Sequence, residues 1–348
     1  VTGRPGGRAD LYQQVTDQIT AALEAGTIPW RQPWTSAAGG RPASMSTGRP
    51  YRGVNVLLLS LAAVGRGYAS PWWGTYRHIA ELGGQVRRGE TSVQVVFWKQ
   101  LPARDAEGQD RDVGTSPPRT VPLLRAFRVF NAEQADHLPA RYRAAQTAGP
   151  DLAGDARDVL AGYLAAGGPA LVHAAGAGPS YSPARDQITL PAPGQFPSRE
   201  AYWATAFHEA AHSTGHPARL NRPGAAGFDH YGSGRYAREE LVAEIGGAML
   251  AATTGVATDA SLRDDSAAYI AGWLTALDGD RKLVVTAASQ AEHAADHVLA
   301  PQRQAEPRPD AEADTDQPAP APSASARLTA RWAVTARPYL TAEPEAGG

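Results

Sequence analysis

The sequence predicts an α+β fold in two domains, and three observations predict it. The chain runs to 348 residues, more than one ordinary domain needs and enough to bury sizeable cores. Hydrophobic residues make up 43% and charged residues 20%, a globular balance for the bulk of the chain. Helical and extended patterns are mixed without the strand–helix–strand rhythm of a parallel sheet.

Residues 10–25 read as an amphipathic helix, with Leu11, Val15, Ile19, Ala22 and Leu23 on one stripe, Asp10 as its cap and Gly26 as its stop. Residues 29–48 are punctuated by Pro, Gly and Ser and read as loop. Residues 54–64 (VNVLLLSLAAV) read as a buried helix closed by Gly65-Arg66-Gly67, and 75–82 as a short helix stopped by Gly83-Gly84. The β-branched and aromatic run 91–99 (TSVQVVFWK) predicts a strand, and 124–131 a second one. Between them, 102–118 is polar with Pro and Gly, as a flexible hairpin tip would be.

A boundary is expected around 137–155. Beyond it come a helix over 156–166, short strands at 170–173 and 187–190, and a helix from Ser198 as cap to Thr214, stopped by Gly215-His216-Pro217. Further helices are expected within 232–254, 267–277 and 287–300. From Pro301 the composition turns to Pro, Ala, Asp, Glu and Gln, which predicts a largely disordered tail over 301–348.

The net charge of -2 is unevenly spread. Residues 1–130 carry 16 Lys and Arg against 9 Asp and Glu, or +7, so the remainder is at -9. Five of the eight tryptophans, Trp30, Trp34, Trp72, Trp73 and Trp98, lie in that basic part. Such a half can meet an anionic polymer; alternatively its tryptophans are core and its arginines solvated surface. There are no cysteines, so disulfides, thiolate zinc sites and cysteine nucleophiles are excluded, and a cytoplasmic setting is favoured. The longest apolar run, 54–64, is too short to span a bilayer, and no basic-then-apolar stretch opens the chain.

The sharpest chemical signal is His208-Glu209-Ala210-Ala211-His212. Two His residues four apart on a helix face the same way, so both rings can reach one ion, while Glu209 can take a proton from water activated there. A third ligand must be His or carboxylate. The spacing HExxHxxGxxH finds Gly215 at its glycine but Ala218 at its last position. The alternative lies in 238–249 (REELVAEIGGAM). There Glu240 can bind the ion and Glu244, one turn on, can accept the N–H of a ligating His, with Glu239 the less favoured ligand. A solvated acidic face is the plainer alternative. Such a centre suits hydrolysis of a peptide or related amide. The extended stretch 187–190 offers a strand edge for a substrate chain. Tyr231, Tyr236, His230 and His216 are open candidates for oxyanion donor. His293 and His297, also four apart, read as surface residues. Zinc is the default ion for two His and one carboxylate, with Mn2+ the alternative.

At these residues the chain resembles a known family. FHEAAHSTGHPARLNR (207–222) and YAREELVAEIGGAML (236–250) resemble the zincin-like metallopeptidase domain of ArdC-type antirestriction proteins. IPWRQPW (28–34), GRPYRGVNVLLL (48–59), WGTYRHIAELGGQVRRGE (73–90), VVFWK (95–99) and FRVFNAEQ (127–134) are similar to that family's N-terminal single-stranded-DNA-binding domain, which some TraC-type primases also carry. The similarity covers about residues 10–300.

The resemblance implies a DNA-binding α+β domain over 8–136, a linker over 137–155 and a zincin-like domain over 156–300. It implies an antirestriction protein that binds single-stranded DNA non-specifically and carries a zinc peptidase site of gluzincin type, with Glu209 catalytic and a protein substrate the sequence does not name. The alternative is a DNA-binding protein whose metal domain is only structural. Stacking faces and phosphate partners are then sought among Trp30, Arg31, Trp34, Arg49, Tyr51, Arg52, Asn55, Trp72, Trp73, Tyr76, Arg87, Arg88 and Lys99.

Overall fold

Asp10 caps the first helix, α1 (Leu11–Glu24), its carboxylate accepting from the backbone N–H groups of Tyr12 and Gln13. The capped stripe buries Val15, Thr16, Ile19 and Leu23. The structure is a computed structural model, and it describes residues 10–30, 41–102, 120–143, 156–222, 234–256 and 266–305. The expected hairpin tip, from Ala103 on, and the expected tail, from residue 306 on, lie outside the described residues.

The N-terminal half continues with β1 (Ala43–Ser44), α2 (Val54–Arg66), β2 (Trp72–Thr75), α3 (Tyr76–Glu81), β3 (Gln85–Val86), β4 (Val93–Pro102), β5 (Thr120–Asn131), β6 (Ala135–Asp136) and α4 (Ala140–Arg143). Gly67, left-handed at φ 70°, closes α2, and the Thr75 hydroxyl caps α3. Four strands form one sheet in the order β1-β2-β5-β4, in which β4 and β5 make a long antiparallel hairpin. The pair β3-β6 forms a second, small sheet. Leu138 and Tyr142, in the stretch expected to begin the linker, are buried in a small cluster with Met45 and Ile79 of this half.

The C-terminal half carries α5 (Ala156–Ala165), β7 (Ala170–His173), β8 (Ser180–Ser182), β9 (Gln187–Leu190), α6 (Arg199–Ser213), α7 (Gly234–Thr253), α8 (Ser266–Gly279) and α9 (Leu283–Ala305). Two expectations are corrected here. The stretch 187–190 is not an edge: β9 is central, paired parallel to β7 and antiparallel to β8. Pro301 does not end the last helix, which runs through it to Ala305.

The halves share one apolar core that runs from Val15 to Leu299. Helices α1 and α2 pack on α9, and α1 also on α8. Trp30 meets Trp273 of α8 edge-on, ring centroids 5.0 Å apart. A buried polar tie accompanies the apolar contact. Glu292 of α9 accepts two 2.7 Å hydrogen bonds from Arg41 and one of 2.9 Å from the Gly53 N–H.

Candidate metal centre

Helix α6 starts where the Ser198 hydroxyl accepts from the Ala201 N–H, a sound N-cap. From there Trp203 and Phe207 bury one flank, and the small Ala210 and Ala211 are fully enclosed. His208, Glu209 and His212 are 6%, 6% and 5% exposed, so this is an interior cluster and not a polar surface stripe. Helix α7 lies across α6 and brings Glu240 (5%) and Glu244 (7%) from the other side.

Three donors converge. The Nε2 atoms of His208 and His212 stand 3.1 Å apart, and Glu240 oxygens lie 3.3 Å from His212 Nε2 and 3.6 Å from His208 Nε2. Among the described residues, His208, His212 and Glu240 are the group able to hold a metal ion. A tetrahedral ion with bonds of about 2.05 Å sets its donors about 3.3 Å apart. The observed edges bracket that spacing, so the residues fit a divalent ion of zinc size.

The opposite face of each ring is also met. Glu244 Oε1 stands 3.7 Å from His208 Nδ1, and Glu239 Oε1 stands 3.5 Å from His212 Nδ1. A carboxylate beside Nδ1 turns the lone pair of Nε2 toward the ion. Glu239 is in turn held by Arg222, itself 5% exposed, which donates to both Glu239 oxygens, to Thr214 Oγ1 and to the Ala211 carbonyl at 2.9 Å. Arg222 thus closes the C-terminal end of α6 and anchors the carboxylate behind His212. Burial by itself would raise Glu239, but His212 and the Arg222 guanidinium outweigh it and hold the carboxyl below its usual value. Burial would lower His212, yet Glu239 and Glu240, with the charge of Glu209, raise it to about 10. The carboxylates that favour positive charge on this ring equally favour a cation bound beside it.

Sequence reasoning overlooked the roles of Glu239 and Arg222. It also overlooked the glycines that let the helices approach. A Cβ on Gly247 would stand 3.1 Å from His208 Cα and N, and one on Gly246 would stand 3.2 Å from Ala211 Cβ. The adjacent pair Gly246-Gly247, two and three residues past Glu244, was the available signal. Of the oxyanion candidates, His230 and Tyr231 lie outside the described residues. Tyr236 is half-buried on α7, and His216 Nδ1 accepts from the Ala218 N–H in a turn. His293 is exposed, and His297 lies edge-on to Tyr163 at 5.9 Å.

The residues sought for DNA contact are scattered by the fold. Trp30 (1% exposed) and Trp73 (0%) are core, because a large ring gains more from full burial than a stacking role allows. Asn55 (5%) spends its amide on the Val96 backbone, donating at 2.7 Å and accepting at 2.8 Å, which pins α2 to β4. These three are withdrawn as DNA contacts. Tyr51 is 7% exposed, and Trp72 is half-buried against Tyr142. Arg52 is exposed but paired with Asp296, and Arg87 with Glu90 and Asp136. Arg49, Tyr76 and Arg88 are exposed. Lys99 lies on β4, and Arg31 and Trp34 lie outside the described residues.

Comparison with known proteins agrees with this layout. Residues 9–130 match the family described as the N-terminal domain of anti-restriction factor ArdC, and residues 161–290 match a zincin-like metallopeptidase family. The chain is similar to a DNA primase TraC of Escherichia coli, with 38% identity over 83% of this chain and 27% of the primase. It therefore spans about a quarter of that relative. It is also 36% identical to the uncharacterized protein y4eC of Sinorhizobium fredii, over 85% of this chain and 94% of that one. Among solved structures, the metal-free antirestriction ArdC protein from plasmid R388 is 40% identical, with a TM-score of 0.68 over 85% of this chain and 98% of that one. Its Mn(II)-bound form is 39% identical, with a TM-score of 0.66 over 84% and 98%.

Proposed function

The chain belongs to the ArdC antirestriction family and carries a zincin-like metallopeptidase domain; from this premise we propose that it binds single-stranded DNA without sequence preference and hydrolyses a peptide bond at the His208–His212–Glu240 centre. In that role it protects incoming mobile-element DNA from host restriction.

One observation carries the enzymatic half. Glu209 is buried on the turn between the two His residues yet is not one of the three converging donors. A purely structural ion needs no such group. A divalent ion held here would polarise a substrate carbonyl and acidify water. Glu209 would take the proton from the attacking water and pass it to the leaving nitrogen. Glu239 and Glu244 would hold the two rings in register. The substrate chain would lie along β8, the edge strand that packs against α6, and not along β9. Zinc suits the donor set, and the Mn(II)-bound relative makes manganese the second ion to test. The DNA half is supported by the match of residues 9–130 to the ArdC N-terminal family and by the net +7 of residues 1–130. No described helix is long and apolar enough to cross a membrane.

The test is Glu209→Gln, which removes the proton acceptor at almost unchanged size. Elemental analysis should find the same zinc or manganese content. Cleavage of a quenched fluorescent peptide library should fall at least about 100-fold. Unchanged cleavage with metal retained would end the enzymatic reading; cleavage by neither protein would leave the metal a structural role. Binding to single strands should weaken steeply with salt and exceed binding to duplex.

A further inference from the structure

The hairpin β4–β5 is buried at its base and exposed further out. Val93, Val95 and Val129 are 7%, 0% and 2% exposed, whereas Phe97 and Phe127, on the same face by register, are each 44% exposed. The two rings stand edge-to-face with centroids 5.5 Å apart. Tyr51, itself buried, backs Phe97 at 6.2 Å. Arg125 is exposed directly across from Phe97 in the strand register, and Arg49 is exposed two residues from Tyr51. Two phenylalanines packed on each other, each 44% exposed, leave apolar surface open to water. Their cost in exposed apolar surface points to a partner.

We propose that Phe97 and Phe127, with Arg125 and Arg49 beside them, form the surface on which single-stranded DNA bases stack. The proposal rests on the DNA-binding reading above and gives it a place. Three features fit a single strand. Each phenylalanine keeps 44% of its surface open to a base, and base–aromatic stacking is indifferent to sequence. The rings lie 77° from parallel, so two bases stacked on them cannot stack on each other. The arginines supply the charge complement for its phosphates.

The experiment is fluorescence anisotropy on the full chain with labelled oligo-dT of about 20 nucleotides, long enough for one binding module. Phe97→Ala with Phe127→Ala should weaken binding at least about tenfold and leave the salt slope unchanged. Phe97→Tyr with Phe127→Tyr, which keeps both rings, should bind as the wild type does. Arg125→Gln should lower the salt slope by about 0.7. Val64→Ala trims a comparably exposed apolar side chain on α2 (44%) and should change nothing. Circular dichroism and melting should match wild type for all four. If wild type binds oligo-dT while the double alanine variant stays within twofold of it, the surface is elsewhere and the DNA reading stands. If wild type does not bind oligo-dT at low salt, the DNA reading falls and this surface with it.

Discussion

Gly247→Ala should weaken metal binding without touching a ligand. Glu240, Glu244 and Gly247 share one stripe of α7, at spacings of four and three. An added Cβ at Gly247 falls 3.1 Å from His208 Cα and N, about 0.3 Å inside ordinary contact with backbone that cannot rotate away. Helix α7 must therefore back off by about that much, and Glu240 moves with it. The edges from Glu240 to His212 and His208, now 3.3 and 3.6 Å, lengthen past what metal bonds tolerate, which is about 0.2 Å. The expected loss is about tenfold in zinc affinity, measured by competition with a chromophoric chelator. Stability moves separately. Alanine gains up to about 1 kcal/mol over glycine inside a helix, against about 1–3 kcal/mol for overpacking, so the ion-free protein should lose about 0–2 kcal/mol. Gly272→Ala is the control: it lies on α8 with nothing within 4 Å of the added atom. It should raise the melting temperature by a few degrees and leave zinc affinity alone. Wild-type affinity in Gly247→Ala would refute the idea that the α6–α7 approach sets the donor geometry.

Three further outcomes follow from side chains around the centre and between the halves. Arg222→Lys keeps a charge but cannot grip both Glu239 oxygens and the end of α6 at once; zinc affinity should fall about 10- to 100-fold, read by the same competition, with His212 ring signals in NMR reporting the changed Nδ1 environment. Glu292→Gln should cost about 3 kcal/mol in urea denaturation, because it leaves Arg41 without its carboxylate at a site only partly open to water; no loss would mean the tie contributes nothing. Asp186 is hydrogen-bonded by Arg219, which outweighs its burial and lowers its carboxyl below the usual value. Its contribution to stability is therefore complete above the unfolded aspartate value of about 3.9 and is lost as acid carries the pH down through the lowered folded value. Stability of wild type and Asp186→Asn, measured by denaturant from neutral pH down into acid, should converge only in that lower range.

Local signals were legible. The caps Asp10 and Ser198 and the stop Gly67 need only the residues beside them, and the helices α1, α2 and α6 start or end on them. The strands 170–173 and 187–190 show in the short β-branched runs that form them. Pairing was not legible. That β9 is central depends on β8, which the sequence hides in Ser180-Tyr181-Ser182, and on the turn between them. The run REELVAE placed three carboxylates on one helix. Which of them faces the ion, and which faces a ring from behind, is set by the crossing of α6 and α7 and by Arg222 from a third segment.

The two candidate sites differed in legibility for one physical reason. Two imidazoles four apart are brought together by a single helical turn, so their convergence is a property of five residues. A DNA-binding face has no such local guarantee. The same tryptophan serves as core or as stacking plane, and Trp73, fully buried, took the first use. The same arginine serves a phosphate or a carboxylate, and Arg41 and Arg52 are directed at Glu292 and Asp296 of the other half. Two of the 16 positive charges counted along residues 1–130 are thus committed to joining the halves. What is left to meet a polyanion is decided by register across a hairpin, which sets Arg125 opposite Phe97 from 28 positions away. Composition therefore singled out the basic half of the chain, while only strand pairing could say which of its side chains lie together on one face.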